Sequence, residues 1–331
     1  MKPQAIMKAM RCAALPALLL CPPAARAAEF SADASGSATA QFLKLASGAR
    51  GAGLGEAYAA LADDAFAMDW NPAGLSSIKN KSMVFMHSPY LAGTYLDYFA
   101  YAENAGDVGS WGFAAKYMSF GEISRTDSSG METGKLAPYD LSGSVGFSAY
   151  ISGFNKDPED RFILGATGKF VRSKIQETDS TISADLGLLT PLMFDGAFRV
   201  GLAAQNIMGS LRFDTEEAPL PLVLRFGTVT RLSSHFLLTA DLVGPRDHLP
   251  YLAAGAEARI APSADMDVFL RGGFNTHAAA DLSGTRNIAL GAGLRYGAYT
   301  LDYAFSPFGD LGNVHRVSIA IAFEPSELPL Y

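Results

Sequence analysis

A regular alternation of apolar residues with small or polar residues dominates the chain from about residue 82 to its C-terminal region. Near the end, for example, Val317 and Ile319 alternate with Arg316, Ser318 and Ala320. Successive side chains of a β-strand point to opposite faces, so a period of two indicates strands with one apolar face. This pattern predicts an all-β fold.

About fourteen such segments follow one another, most of them about 8 to 13 residues long. A tilted strand needs about 9 to 11 residues to cross a membrane, and bacterial outer-membrane barrels have an even number of strands. Outward connections such as 121–138 and 207–218 are longer than inward ones such as 232–234 and 297–298, as in such barrels. We therefore predict a transmembrane antiparallel β-barrel of about 14 strands over residues 81–323, followed by a C-terminal tail over residues 324–331. The segments are 82–88, 94–103, 109–120, 139–151, 160–174, 179–190, 196–206, 219–231, 235–243, 249–260, 265–275, 285–296, 299–306 and 313–323.

Residues 1–27 have the features of a secretory signal peptide. Three basic residues precede an apolar stretch over residues 12–21, and an A-x-A cleavage site follows at residues 25–27. Lipidation at Cys21 is the alternative, but Leu20 stands before the cysteine where a small residue is expected. Cleavage after Ala27 removes both cysteines, so we expect a mature protein without a disulfide or a thiolate metal site.

The composition argues against a helical membrane protein and against a nucleic-acid-binding protein. Mean hydropathy is only +0.13, and no apolar run reaches the roughly 18 residues that a membrane helix needs. Removal of the signal peptide takes away four basic residues and leaves a net charge of −11. Because the chain also lacks runs of lysine and arginine, we expect no nucleic acid among its partners.

Residues 28–80 form a separate zone that is rich in alanine and glycine. Helical spacing of apolar residues between Glu56 and Met68 predicts a short helix, which Asn71-Pro72 should end because a residue before proline avoids the α region. The inward faces of the strands have nearly balanced charges and many glycines, so a barrel of 14 strands leaves space inside. We therefore predict that residues 28–80 form a partly helical plug in the lumen. The inward charges are Lys169, Arg199, Arg225, Arg259, Arg271, Arg295, Asp185, Asp241, Glu257, Asp267 and Asp302, and the inward glycines include Gly165, Gly201, Gly255, Gly273, Gly291 and Gly293.

The sequence shows no catalytic or metal-binding motif, so we predict no enzymatic activity, no catalytic residue, no metal and no cofactor. The five histidines are isolated, and neither an HExxH nor a GxSxG motif occurs. The glycines at residues 51–55 suggest a dinucleotide loop, but Glu56 stands where the third glycine is required, which favours tight backbone packing instead. Asp63 and Asp64 beside Arg50 could form a cation or substrate site, although an ion pair or a helix cap is favoured.

Two strings, GARGAGLGEAYAALADDAFAMDWNPAGL at residues 48–75 and LDYAFSPFGDLGNVHRVSIAIAF at residues 301–323, resemble the PorV/PorQ family of outer-membrane barrels, relatives of the fatty-acid transporter FadL. The resemblance implies a fourteen-stranded FadL-like barrel whose N-terminal segment enters the lumen. It also implies a role in type IX secretion, either as a shuttle that receives exported proteins or in their surface attachment. The plug motif in this chain comprises Arg50, Gly51, Gly53, Gly55, Asp63, Asp64, Trp70, Asn71, Pro72 and Ala73.

Three functions are compatible with this resemblance, all of them in the outer membrane after signal-peptide cleavage. The first, which we favour, is a component of protein secretion or surface assembly, with outer-membrane lipid, exported proteins with a C-terminal sorting domain and other secretion-system components as partners. The second is a FadL-like transporter of hydrophobic small molecules, with Phe66, Met68 and Trp70 as candidate ligand-lining residues that could equally be core. The third is a purely structural barrel.

Overall fold

The computed structural model describes residues 29–152, 161–277, 287–308 and 311–323, so the predicted signal peptide and the C-terminal tail lie outside it. Fourteen antiparallel strands form a closed barrel in which the last strand pairs with the first. The predicted fourteen-stranded barrel is therefore confirmed. Numbered along the chain, its strands are β1 (Lys81–Pro89), β2 (Tyr95–Asn104), β3 (Ser110–Ser119), β6 (Tyr139–Ser152), β7 (Arg161–Lys174), β8 (Thr178–Leu189), β9 (Phe198–Gln205), β12 (Val223–Ser233), β13 (Phe236–Pro245), β14 (Tyr251–Ser263), β15 (Met266–Asn275), β16 (Ile288–Tyr296), β17 (Tyr299–Pro307) and β18 (Asn313–Ala322).

The two ends of the barrel differ in the length of their connections. At the inner end, β16 and β17 are joined by residues 297–298, whereas at the outer end β3 and β6 are joined by residues 120–138. Short turns face the periplasm and long loops face the outside in barrels of this kind. Two of the long connections each contain a hairpin, whose strands are too short for periodicity to detect. The hairpins are β4 (Ile123–Thr126) with β5 (Glu132–Leu136), and β10 (Ser210–Phe213) with β11 (Glu216–Pro219).

The outward face of the barrel is apolar. Large hydrophobic side chains remain exposed along it, among them Val145 at 67% and Ile182 at 69%. Aromatic rings line up across β1, β2 and β3, with ring centroids 4.8 Å apart for Phe85 and Phe99 and 5.8 Å apart for Phe99 and Phe113. An exposed apolar surface of this extent is unfavourable in water, so this face is the one that contacts lipid.

The N-terminal segment, residues 29–80, contains only short helical pieces, and the predicted helix between Glu56 and Met68 is wrong. Tyr58 and Ala59 donate their backbone N–H groups to Asp241 Oδ2 on β13, at 3.1 and 3.0 Å, instead of to carbonyls of a preceding helical turn. Within the described residues, no helix is long and apolar enough to span a bilayer. The helical pieces are α1 (Ala49–Gly53), α2 (Ala67–Trp70) and 3-10 turns at Ala32–Ala34, Gln41–Lys44 and Pro72–Ser77; two more such turns, Leu91–Gly93 and Gly106–Val108, lie between barrel strands.

The hydrophobic core combines this N-terminal segment with inward side chains of the strands. Leu54, Tyr58, Leu61 and Leu75 of the segment are almost completely buried. Burial of side chains of this size contributes about 1.5 to 3 kcal/mol each. The packing of the N-terminal segment against the strands is therefore a major part of what holds the fold together.

Candidate functional site

The N-terminal segment begins at the outer end of the barrel and leaves at the inner end. Near its start, the Phe30 N–H donates to Arg246 O at 2.7 Å, and Lys44 forms an ion pair of 2.8 Å with Asp247, both in the outer connection between β13 and β14. Near its end, it runs into β1, whose first residue, Lys81, is at the inner end. The candidate residues between these points therefore face the inward side of the strands.

Inward glycines of the strands make room for this segment. A Cβ atom on Gly255 of β14 would lie 2.6 Å from Leu54 O, and one on Gly201 of β9 would lie 2.5 Å from Ala59 O. A Cβ on Gly273 would collide with the backbone of Gly55 itself. The spacing of the two backbones is thus closer than any other residue type allows at these positions. The same close approach applies at Gly165 and Gly187, which face Pro72 and Ala73, and at Gly291, which faces Gly53.

Arg50 of the N-terminal segment forms ion pairs with two carboxylates. Its Nε and Nη2 donate to the two carboxylate oxygens of Glu257 on β14 at 2.8 and 2.9 Å, and its Nη1 donates to Asp63 Oδ1 at 2.7 Å. Glu257 also pairs with Arg271 at 2.6 Å, and Arg271 pairs with Asp302 at 2.6 Å. The structure therefore places Arg50 and Asp63 in an ion-pair network that joins the segment to the barrel wall.

Asp64 lies beside this network but has different partners. Its Oδ1 accepts a hydrogen bond from the Phe66 N–H at 2.9 Å, just before α2, and its Oδ2 accepts one from the Tyr58 hydroxyl at 3.3 Å. Burial, together with the neighbouring charge of Asp63, raises the pKa of the Asp64 carboxyl to about 7. The fold thus favours the protonated form of Asp64.

The motif residues Trp70 to Ala73 form a hydrogen-bonded turn at the end of α2. Trp70 Nε1 donates to Ser47 O at 2.7 Å, and the Arg225 guanidinium lies 4.8 Å from its ring centroid. Asn71, which is fully buried, donates from Nδ2 to Ala59 O at 2.7 Å and accepts the Ala73 N–H at 3.1 Å. Asn71 therefore caps the 3-10 turn that starts with Pro72.

The remaining motif glycines and the candidate ligand-lining residues are in tight packing. A Cβ on Gly51 would lie 3.0 Å from the Trp70 ring. Phe66 stacks on Tyr98 with ring centroids 5.5 Å apart, and Met68 lies over Gly146, where an added Cβ would be 2.7 Å from its sulfur. Phe66, Met68 and Trp70 are each at most 3% exposed. In this structure the three side chains contact protein atoms in the core.

Several wall residues that hold the segment were not identified from the sequence. The Lys116 ammonium on β3 donates to Leu45 O at 2.6 Å and to Asp69 Oδ2 at 2.8 Å. Gln205 on β9 donates to the carbonyl oxygens of Asp69 and Trp70. The alternation of residues in β3 indicates that Lys116 points inward. Its partners cannot be predicted in this way, because they depend on the path of the N-terminal segment.

Among the cavities lined by described residues, two are relevant here and both are open to the surroundings. One, of about 540 Å³, lies at the inner end and is lined by Arg50, Asp63 and Asp64 of the motif together with side chains near the ends of several strands. The other, of about 410 Å³, is an apolar groove on the outward face around Phe85 and Phe99. Phe66, Met68 and Trp70 line neither of them. Among the described residues there is no group of three or more His, Cys, Asp or Glu side chains that could hold a metal ion.

Solved structures with the same fold include a transporter, a channel and a FadL homologue. The toluene transporter TbuX of Ralstonia pickettii matches with a TM-score of 0.52 and 14% identity, over 83% of this chain and 97% of that one. The CymD monoaromatic hydrocarbon channel matches with a TM-score of 0.53 and 12% identity, over 84% of this chain and 97% of that one. A Pseudomonas aeruginosa FadL homologue matches with a TM-score of 0.50 and 11% identity, over 84% of this chain and 98% of that one. These TM-scores show a shared FadL-like barrel fold.

Sequence comparison gives the family. No curated protein matches the chain. A family model described as "Type IX secretion system protein PorV" matches residues 31–238, which is more than half of the chain. The chain therefore belongs to the PorV family of outer-membrane β-barrel proteins.

Proposed function

We propose that this protein is an outer-membrane component of type IX secretion or surface assembly, with residues 28–80 acting as a plug in a barrel over residues 81–323. The family match supports the secretion role. The observation that supports it best within the structure is the set of charged contacts between segment and wall, above all Arg50 with Glu257 and Asp69 with Lys116. If the N-terminal segment fills the lumen, a large client has no space there and binds at the outer surface of the barrel.

The β4–β5 hairpin is the surface that we propose for client binding. All of β4 is exposed, and the apolar side chains of Ile123 and Met131 are exposed by 51% and 69%. The two strands form a sheet of their own and pair with no barrel strand, so the hairpin is accessible to a partner. The second hairpin is less suitable, because Leu211 of β10 is completely buried and the Arg212 N–H donates to Asp179 of the barrel at 2.6 Å. We propose exported proteins with a C-terminal sorting domain as the clients.

The alternative function is transport of hydrophobic small molecules. It is supported by the fold, which the chain shares with solved structures of a toluene transporter and a monoaromatic hydrocarbon channel. Transport through the lumen would require the N-terminal segment to move, because Phe66, Met68 and Trp70 are buried against protein. Replacing Phe66 or Trp70 by alanine would then abolish uptake.

Crosslinking in cells tests the secretion role. Residues 122–136 are replaced by a short Gly/Ser linker, which removes the β4–β5 hairpin and leaves the barrel strands intact, and crosslinking to clients is compared with that of the unaltered protein. We expect normal heat-modifiable migration on gels but loss of client crosslinking. A matched variant with a linker inserted after the exposed Leu249, in another outer connection, should retain crosslinking. Retained crosslinking without the hairpin, together with loss of hydrophobic-compound uptake in F66A or W70A, would favour the transporter instead.

A further inference from the structure

Two opposite charges lie near the outer mouth of the barrel, and neither has an ion-pair partner. Arg316 of β18 is only 3% exposed, and its Nε has no hydrogen-bond partner among the described residues. Within the same part of the chain, no opposite charge lies within 4.0 Å of the Arg316 guanidinium or of the Glu56 carboxylate in the N-terminal segment. An enclosed charge without a partner is unfavourable, because burial removes the water that would otherwise solvate it. A ligand that carries both charges would compensate the two residues.

The Arg316 guanidinium extends towards the outer end of the barrel. In the pairing of β17 with β18, Arg316 lies opposite Ala304, but its Nη1 donates to the Ser306 hydroxyl at 3.4 Å, two residues closer to the outer end. The ring centroid of Tyr90, which directly follows β1 at its outer end, lies 6.0 Å from the guanidinium carbon. A guanidinium has five N–H donors, and neither a hydroxyl nor an aromatic ring neutralises its charge. Arg316 thus presents unused donors to the outer mouth.

Glu56 lies in the same outer part of the lumen. The carbonyl of the preceding residue, Gly55, accepts a hydrogen bond of 3.5 Å from Asn275 Nδ2, at the outer end of β15. The Glu56 side chain is partly exposed, so solvent reaches it. Its charge acts on groups of several different elements, which places the carboxylate between them. These groups are Tyr90, Lys116, Tyr251 and Arg316.

The backbone holds Glu56 in a position that other residue types would occupy more easily. Its φ angle is +73°, in the left-handed region that favours glycine because a Cβ is unfavourable there. Its N–H donates to Gly51 O at 3.0 Å and its carbonyl accepts from Arg225 Nη1 at 3.1 Å, so the main chain is fixed on both sides. The carboxylate itself makes no hydrogen bond to the described residues. A ligand can therefore bind this carboxylate without breaking a hydrogen bond of the fold.

We propose that Glu56 and Arg316 bind a zwitterion at the outer mouth of the barrel, a free α-amino acid with an apolar side chain. The Glu56 carboxylate would receive the ammonium group, and the Arg316 guanidinium would donate to the carboxylate in bidentate geometry. Tyr90 and Phe308, whose rings meet edge to face with centroids 5.9 Å apart, provide an apolar surface beside Arg316. A simple anion or cation would leave one of the two charges uncompensated. This site does not depend on the secretion role proposed above.

A series of three ligands, titrated into the purified mature chain in non-ionic detergent and followed by calorimetry, tests the proposal. L-phenylalanine carries both charges, L-phenylalanine amide lacks the carboxylate, and N-acetyl-L-phenylalanine lacks the ammonium group. The titrations are made at about pH 6, where α-amino groups are protonated and carboxylates ionised. We expect saturable binding of L-phenylalanine and at least about tenfold weaker binding of each analogue, because each has lost charge-assisted hydrogen bonds.

Two variants assign each half of the ligand to its residue. E56Q should bind L-phenylalanine about tenfold more weakly and no longer distinguish it from the N-acetyl analogue. R316Q should weaken binding similarly and no longer distinguish L-phenylalanine from its amide. R212Q is the matched control, because Arg212 lies on the outer β10–β11 hairpin and pairs with Glu217, and it should bind all three ligands like the unaltered protein.

Three results would overturn the proposal. The first is absence of saturable L-phenylalanine binding up to about 10 mM. The second is equal affinity of the unaltered protein for L-phenylalanine and either analogue. The third is full discrimination between the ligands in E56Q, which would place binding elsewhere. If R316Q does not assemble, as judged by heat-modifiable migration, the ligand series on the unaltered protein and E56Q still decides.

Discussion

Arg50 of the N-terminal segment and Glu257 of the barrel wall are joined by two hydrogen bonds, of 2.8 and 2.9 Å, in a buried ion pair. The two residues are 207 positions apart in the chain, so the pair ties the segment to a strand formed much later. Asp63 and Arg271 extend the pair on either side. This network is an electrostatic link between the two parts of the molecule.

Breaking this link should destabilise the protein strongly. We expect R50M to lower the free energy of unfolding by about 3 kcal/mol, because it leaves Asp63 without its ion pair and Glu257 with Arg271 alone. The control is E122Q, which breaks the exposed pair between Glu122 and Lys135 and should leave the free energy of unfolding nearly unchanged, because solvent screens such a pair. Urea unfolding of the purified proteins, followed by tryptophan fluorescence, compares them. Equal stability of R50M and E122Q would show that the pair does not anchor the segment.

Adjacent glycines on β15 allow a matched test of the close approach between segment and wall. A Cβ on Gly273 would collide with the backbone of Gly55, whereas a Cβ on Gly272 would meet nothing within 4 Å. We therefore expect G273V to displace the N-terminal segment and G272V to be tolerated. Protease sensitivity of residues 29–80 in the purified barrel measures the displacement. Similar protection in both variants would mean that the segment does not lie against β15.

The titration of Asp64 should make stability depend on pH. Its pKa of about 7 in the folded protein is above the value of about 3.9 in an unfolded chain, so the folded state binds the proton more tightly. The stability from this group is fully present below pH 4 and is lost as pH rises through 7. D64N, which stays neutral, should therefore gain stability relative to the unaltered protein between pH 5 and 8. A difference that stays constant over this range would contradict the raised pKa.

The path of the segment from outer to inner end can be tested by cysteine labelling. Both native cysteines lie in the predicted signal peptide, so single cysteines can be added without further changes. Ser35 is exposed near the outer connections, and Ala264 lies in the inner turn between β14 and β15. A membrane-impermeant maleimide on intact cells should label S35C but not A264C, and both after permeabilisation. Labelling of A264C alone would reverse the orientation.

The strands of the barrel could be predicted from the sequence, because their inward and outward residues alternate over eight or more positions. The same alternation identified the inward charges, including Glu257, and the inward glycines, including Gly273. The helix expected between Glu56 and Met68 could not be corrected from the sequence, since its backbone N–H groups are taken by Asp241, far away in the chain. The roles of Lys116 and Gln205 likewise depend on the three-dimensional path of the segment.

The central claim is that the N-terminal segment closes the barrel, and single-channel conductance in planar bilayers tests it most directly. The unaltered mature protein is compared with a variant that lacks residues 29–75, after heat-modifiable migration has shown that both are folded. We expect the unaltered protein to conduct little and the deletion variant to form open pores, because inward glycines such as Gly201 and Gly255 would then line empty space. Equal conductance of the two proteins would contradict the claim.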